Sequence, residues 1–209
     1  MLVRAQGEGI DLLPGELVSV LLVAPLGSAG TYPEYVAVSE DANLARLPKP
    51  LDPLVAAALP TAGVTGLEVV ESLGPLAGKT VLIVGAAGGV GSFATQFATQ
   101  AGAHVDASAR GDAAARVRQY GAAETFDHIA VALSDAVRQV HLDGIHGVID
   151  LASGRNGFAS VASLVRRGGI ALRSLNNICE CRLWEPGVRA CRSRTRLVPA
   201  SRLCRLRLR

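Results

Sequence analysis

The chain has no cysteine before Cys179 and lysine only twice, at Lys49 and Lys79. Without thiols in its first 178 residues, the body holds neither a disulfide framework nor a cysteine-based zinc lobe. A long hydrophobic run is also missing. The longest, Leu17 to Leu26, is broken by Ser19 and Pro25 and is about half the length of a transmembrane helix, so it reads as a strand. After Met1 come Arg4, Gln6, Gly7, Glu8 and Gly9 with no apolar stretch, so no secretory signal is expected and the cytoplasm is the default location. Charged residues make up 19% and hydrophobic residues 49% of the 209 positions, too little charge for a disordered chain and enough apolar material for a real core. That length implies one or two domains.

The net charge of +3 hides a split. Residues 1–174 carry ten Arg and two Lys against sixteen acids, a balance of −4, whereas residues 175–209 carry nine Arg against two Glu, a balance of +7. All four cysteines (Cys179, Cys181, Cys191, Cys204) and Trp184, the sole tryptophan, also lie in that last stretch. Arg without Lys, mixed with Cys, Ser and Pro, resembles out-of-frame translation of GC-rich DNA. The stretch is therefore expected to be disordered and not to complete a sheet, and its charge is not taken as a sign of nucleic-acid binding, the rival reading of an Arg-rich tail. The cysteine spacing matches no zinc motif, and no metal is expected.

From about residue 79 the body alternates strand-like and helix-like segments. Thr80 to Val84 is a continuous apolar run, as in a strand buried on both faces. Val90, Phe93, Ala94, Phe97, Ala98 and Ala101 follow at helical spacing, and Gly102 stops that helix. Further strands are predicted at 104–109, 124–127, 147–151 and 169–172. Helices are predicted from Asp112 as cap to Tyr120, along the stripe Leu133, Val137, Val140, and over 156–166. Such alternation implies βαβ units, and right-handed crossovers then imply an α/β, doubly wound parallel sheet. The N-terminal stretch differs, with strands predicted at 17–23 and 35–38 among Pro and Gly. Asp52-Pro53 marks a helix start, the helix running on through the Ala-rich segment and perturbed by Pro60. The expected domains are 1–52, 53–174 and the tail 175–209.

Ala86-Ala87-Gly88-Gly89-Val90-Gly91 follows a buried strand and opens a helix, the context in which a glycine-rich loop points to dinucleotide binding rather than an ordinary turn. A diphosphate at a helix N-terminus meets free N–H groups and the positive end of the helix dipole. Gly88 and Gly89 let the backbone approach it closely, and Gly91 lets helix and strand pack. Ala86 stands where the first glycine of G-x-G-x-x-G is usual. No acid sits at the end of the second strand, where NAD would want a carboxylate on the ribose. Ser108, Ala109 and Arg110 stand there instead, and Asp106 lies too far back, so NADPH is expected, with Arg110 read otherwise as a solvated loop charge.

Val81 to Ala94, with its doubled alanine before Gly-Gly-Val-Gly, resembles the nucleotide loop of the medium-chain dehydrogenase/reductase superfamily and is most similar to its zinc-independent quinone oxidoreductase branch. Gly30 to Val38, Ala56 to Thr65, and Gly7 to Val18 resemble further segments of that family, collinearly over about residues 2–174. The resemblance implies a Rossmann domain with a partial GroES-like β domain at the N-terminus, the family pattern being entered midway through that domain and left near Ser174. It implies hydride transfer from NADPH to a quinone, enone or similar activated double bond of a small-molecule substrate, with homodimerisation possible and neither nucleic acid nor membrane as partner. It places Thr65 near the nicotinamide, Ala87, Gly88, Gly89, Val90 and Gly91 on the diphosphate, and Ser108 and Arg110 at the 2′-phosphate. The alternative is an inactive nucleotide-binding fragment or pseudoenzyme of the same family.

No catalytic acid is named. Tyr32 and Tyr35 read as wall or core aromatics of the β domain. His104, His128, His141 and His146 are scattered without ligand spacing. In the resemblance Asp150 matches a common structural aspartate, and no nucleophile elbow is present.

Overall fold

A computed structural model describes residues 12–21, 34, 36, 38, 43–127, 132–175 and 178–180. The described chain divides into two compact units, the first ending at Val64 and the second beginning at Thr65.

In the first unit, β1 (Val18–Leu21) pairs antiparallel with β2 (Asn43–Arg46), Val18 opposite Arg46. Strand β2 carries Asn and Arg and has no apolar run, so composition alone does not mark it. Its ladder with an apolar partner does, since each backbone N–H and C=O needs a mate. The strand predicted at 35–38 is not seen at the described positions, where Val36 and Val38 lie outside any strand; Tyr32 and Tyr35 fall outside the described residues.

Helix α1 (Pro53–Ala56) starts as its sequence dictates, with Asp52 Oδ1 accepting a hydrogen bond from the Leu54 N–H at 2.7 Å and Pro53 at the first position. The helix does not run on as one piece. A π-helical turn, Leu59–Gly63, intervenes before α2 (Val64–Glu71). Pro60 has no N–H to donate to the carbonyl four residues back and its ring crowds that carbonyl, so the coil widens by one residue.

The second unit contains β3 (Thr80–Val84), β4 (His104–Ser108), β5 (Glu124–Phe126), β6 (Ile145–Asp150), β7 (Val165–Leu175) and β8 (Ile178–Glu180), in spatial order β5-β4-β3-β6-β7-β8. The first five are parallel; β8 joins antiparallel at the edge. Between them lie α3 (Gly89–Gln100), α4 (Asp112–Gln119), α5 (Leu133–Val140) and α6 (Arg155–Ala162). The order reverses between β3 and β6, which makes this the doubly wound Rossmann sheet. Leu82, Ile83, Ile145, Ile149 and Leu172 are fully buried, each contributing about 1.5–3 kcal/mol by leaving water. Gly102 and Gly121 end α3 and α4 with φ of +82° and +105°.

Four local expectations need correction. Asp112 is the first residue of α4, not its cap; Gly111 precedes it without a side-chain bond. Val140, assigned to the apolar stripe of α5, is exposed. Helix α6 stops at Ala162, and β7 already begins at Val165. The register jumps from Ile145↔Val165 to Gly147↔Ile170, so Arg166 to Gly169 form a bulge within β7, which hides the strand's start from a pattern reading. Finally, Ile178–Glu180, within the stretch expected to lack order, pairs with β7 because that strand otherwise presents unpaired N–H and C=O groups.

Candidate functional site

The crevice where the strand order reverses lies at the carboxyl ends of β3 and β6, the place where open α/β sheets hold ligands. On its β3 side the chain passes from Val84 through Gly85 (φ +82°) into α3. Gly88 is the N-cap of α3 and has no side-chain hydrogen bond to offer. By contrast, α1 has Asp52 filling that role. The first-turn N–H groups of α3 are thus left for an outside acceptor at the positive end of a 12-residue helix. Gly88 and Gly89 are exposed and Val90 half-buried, while Ala86 is fully buried beneath them.

Gly91 answers a packing demand. A Cβ there would stand 2.2 Å from the Gly85 carbonyl oxygen and 2.7 Å from Ala86 Cα, so only glycine lets the first turn of α3 press on the end of β3. Gly66, in the first turn of α2, is also close-packed: a Cβ would meet Phe93 Cβ at 2.8 Å and the Ala94 nitrogen at 3.1 Å. This contact stacks α2 on the start of α3 and brings the neighbouring Thr65, half-buried, to the same end of the unit. The role of Gly66 is not visible in the sequence, because its partners lie nearly thirty residues away.

On the β6 side, Asp150 is fully buried at the strand's end, its Oδ1 accepting from the Ala152 N–H at 3.1 Å and the Ser153 N–H at 2.8 Å. This fastens the bend after β6 that faces Gly85, whose added Cβ would touch Ala152 Cβ at 3.0 Å. Asp150 therefore shapes the crevice wall.

At the end of β4, Ser108 and Ala109 are buried, and Ser108 is already partnered within the chain. Arg110 is exposed in the β4–α4 connection. Asp106, two residues before Ser108 on the same face, is fully buried; its Oδ2 lies 2.7 Å from His141 Nε2 and its Oδ1 3.5 Å from His104 Nε2. Desolvation pushes the Asp106 carboxyl above the ordinary aspartate range, against the pull of the two imidazoles. Its carboxylate is committed to these histidines inside the fold. No helix among the described residues is long and apolar enough to cross a membrane.

No family model matches the chain. It is 35% identical over 134 residues to the mitochondrial NAD(P)H oxidoreductase RTN4IP1 of Mus musculus, covering 62% of this chain and 33% of that protein. It is 31% identical over 143 residues to an alcohol dehydrogenase of Geobacillus stearothermophilus, covering 67% of this chain and 41% of that one. Among solved structures, a probable oxidoreductase from Mycobacterium abscessus superposes with a TM-score of 0.72 at 29% identity, over 90% of this chain and 56% of that chain. The quinone oxidoreductase from Coxiella burnetii superposes with a TM-score of 0.69 at 29% identity, over 78% and 49%. The chain spans about a third to two fifths of the length of these sequence relatives.

Proposed function

We propose that this chain, a medium-chain dehydrogenase/reductase similar to the zinc-independent quinone oxidoreductase branch, holds NADPH on its Rossmann unit and serves hydride transfer to a quinone, enone or similar activated double bond of a small molecule. The observation that carries the reading is the uncapped N-terminus of α3 at the point where the sheet order reverses, with Gly91 seating the helix against β3. Similarity to an NAD(P)H oxidoreductase and to a quinone oxidoreductase supports an oxidoreductase that uses a nicotinamide cofactor.

Each residue then has a definite task. The backbone from Ala87 through Gly88, Gly89, Val90 and Gly91 receives the diphosphate; the Gly89, Val90 and Gly91 N–H groups donate to the phosphate oxygens with no side chain in competition, while the Gly88 N–H is held by the Gly85 carbonyl oxygen at 3.1 Å and shapes the loop. Arg110, exposed beside the end of β4, supplies a guanidinium for the 2′-phosphate; Ser108 contributes to the wall beneath it. With Asp106 held by His141, no carboxylate is left at that strand end to select the plain ribose of NADH. Thr65, next to the tight α2–α3 contact, borders the nicotinamide half. Bound there, the nicotinamide ring supplies the hydride; the chain orients it against the acceptor and excludes water.

The test is a fluorescence titration of the chain with NADPH, followed by turnover with a small quinone. Binding with turnover supports the proposal. Binding without turnover favours a nucleotide-binding protein that is not itself a catalyst, and no binding refutes both.

A further inference from the structure

The opposite end of the same sheet carries a second concave site. A cavity of about 110 Å³ opens at the amino ends of β3, β6 and β7, lined by Leu73, Leu76, Lys79, His146, Gly147, the bulge Arg166 to Gly169, and Ile170. Three of its side chains are cationic, Lys79, Arg166 and Arg167, and none of its lining residues is acidic. Among the described residues none of the three cations has an ion pair, whereas Arg46 elsewhere pairs with Glu16 at 3.1 Å.

His146 sharpens the picture. Its Nδ1 accepts a hydrogen bond from the Thr80 N–H at 3.0 Å, which fixes the neutral ring's proton on Nε2 and makes that atom a donor. Burial, and then the charges of Arg166 and Lys79, hold this imidazole below its ordinary pKa, as expected where positive potential has no counter-charge. The bulge that delivers the two arginines is built tightly. A Cβ at Gly169 would lie 2.5 Å from the His146 carbonyl oxygen, so the Arg-Arg-Gly-Gly turn is pressed against the start of β6.

We propose that this cavity is an anion site that takes one phosphate group, either free phosphate or the end of a small phosphomonoester. Beside the apolar Leu73, Leu76 and Ile170, its polar side chains offer only donors and positive charge, the chemistry that suits an oxyanion with several acceptor oxygens and more than one negative charge. The volume has room for a phosphate group. The site is separate from the glycine loop: β3 alone, from Thr80 to Val84, sets the two ends about 13 Å apart.

The experiment is an NMR titration of the His146 imidazole in the full chain with inorganic phosphate, with phenyl phosphate, and with chloride at matched ionic strength. Phosphate held near the glycine loop does not move this signal. The expected result is a saturable shift with phosphate and a raised His146 pKa, since a bound anion favours the imidazolium. Arg166→Gln and Arg167→Gln should each weaken binding about tenfold, as loss of one charge-assisted contact does. Lys79→Gln, on a different element, provides a second variant should the bulge be disturbed. Tighter binding of phenyl phosphate than of phosphate identifies an ester as the preferred form; equal binding identifies the free ion. A chloride titration that reproduces the phosphate shift, or arginine and lysine variants with unchanged affinity, would overturn the proposal.

Discussion

Replacing Gly91 by alanine adds a single methyl group where the fold has no room for one. The new carbon would sit 2.2 Å from the Gly85 carbonyl oxygen, 2.7 Å from Ala86 Cα and 2.9 Å from the Ala86 carbonyl carbon. All three are backbone atoms, so no side-chain rotation relieves the clash. Ordinary contact begins near 3.4 Å, and helix and strand end must therefore part by about 1.2 Å. Overpacking of this kind costs roughly 1–3 kcal/mol, and the backbone partners put Gly91→Ala near the top, at about 3 kcal/mol. For a chain of this size that lowers Tm by roughly 6–12 °C. The same displacement carries the first turn of α3 away from the loop, so NADPH affinity should fall at least about tenfold, equivalent to about 1.4 kcal/mol. Gly88→Ala provides the contrast. Its φ of −77° suits alanine, and the added carbon meets only the Gly85 oxygen, at 3.4 Å. Stability should stay within about 1 kcal/mol, the usual cost of a poorer cap, while NADPH binding weakens because the methyl group stands where the diphosphate approaches. Thermal unfolding and fluorescence titration on the same samples separate packing from binding. If Gly91→Ala melts and binds like the parent, the close-packing argument is wrong.

Three further outcomes follow from the geometry. Arg110→Ala should weaken NADPH binding about tenfold while changing NADH binding less than about twofold, by loss of one charge-assisted contact; equal losses in parallel titrations would remove Arg110 from the phosphate site. Asp150→Ala deletes the acceptor for the Ala152 and Ser153 N–H groups and should cost about 2 kcal/mol in urea unfolding; a cost below about 0.5 kcal/mol would show that the bend holds without it. His146 has its pKa lowered in the fold, so as pH falls below the ordinary value of 6.5 the unfolded chain takes up the proton more readily and stability drops. Denaturation from pH 7 to pH 5 should show this loss diminished in His146→Asn, and identical pH slopes for parent and variant would contradict the assignment.

The α/β unit was legible because its information is local. The buried run Thr80–Val84, the helical stripe from Val90 and the stop at Gly102 each sit within a dozen residues. What escaped depends on partners distant in sequence. Strand β2, Asn-Leu-Ala-Arg, has no apolar run and is a strand by virtue of β1. The start of β7 is disguised by a bulge rich in Arg and Gly that reads as the end of a helix. The glycine loop could be read from its residues. The commitment of Asp106 to His141 and the stacking at Gly66 could not, since each joins elements about thirty residues apart. Asp106 lies too far back along β4 to reach a ribose, and His141 occupies its carboxylate as well.

The central claim is that a dinucleotide sits on the first turn of α3. Backbone amide NMR of the chain titrated with NADPH addresses it directly. The prediction is that the largest shifts fall on the N–H groups of Gly89, Val90 and Gly91, saturating together with one affinity. Shifts that leave those three amides unmoved while others respond, or no saturable shift at all, would contradict it.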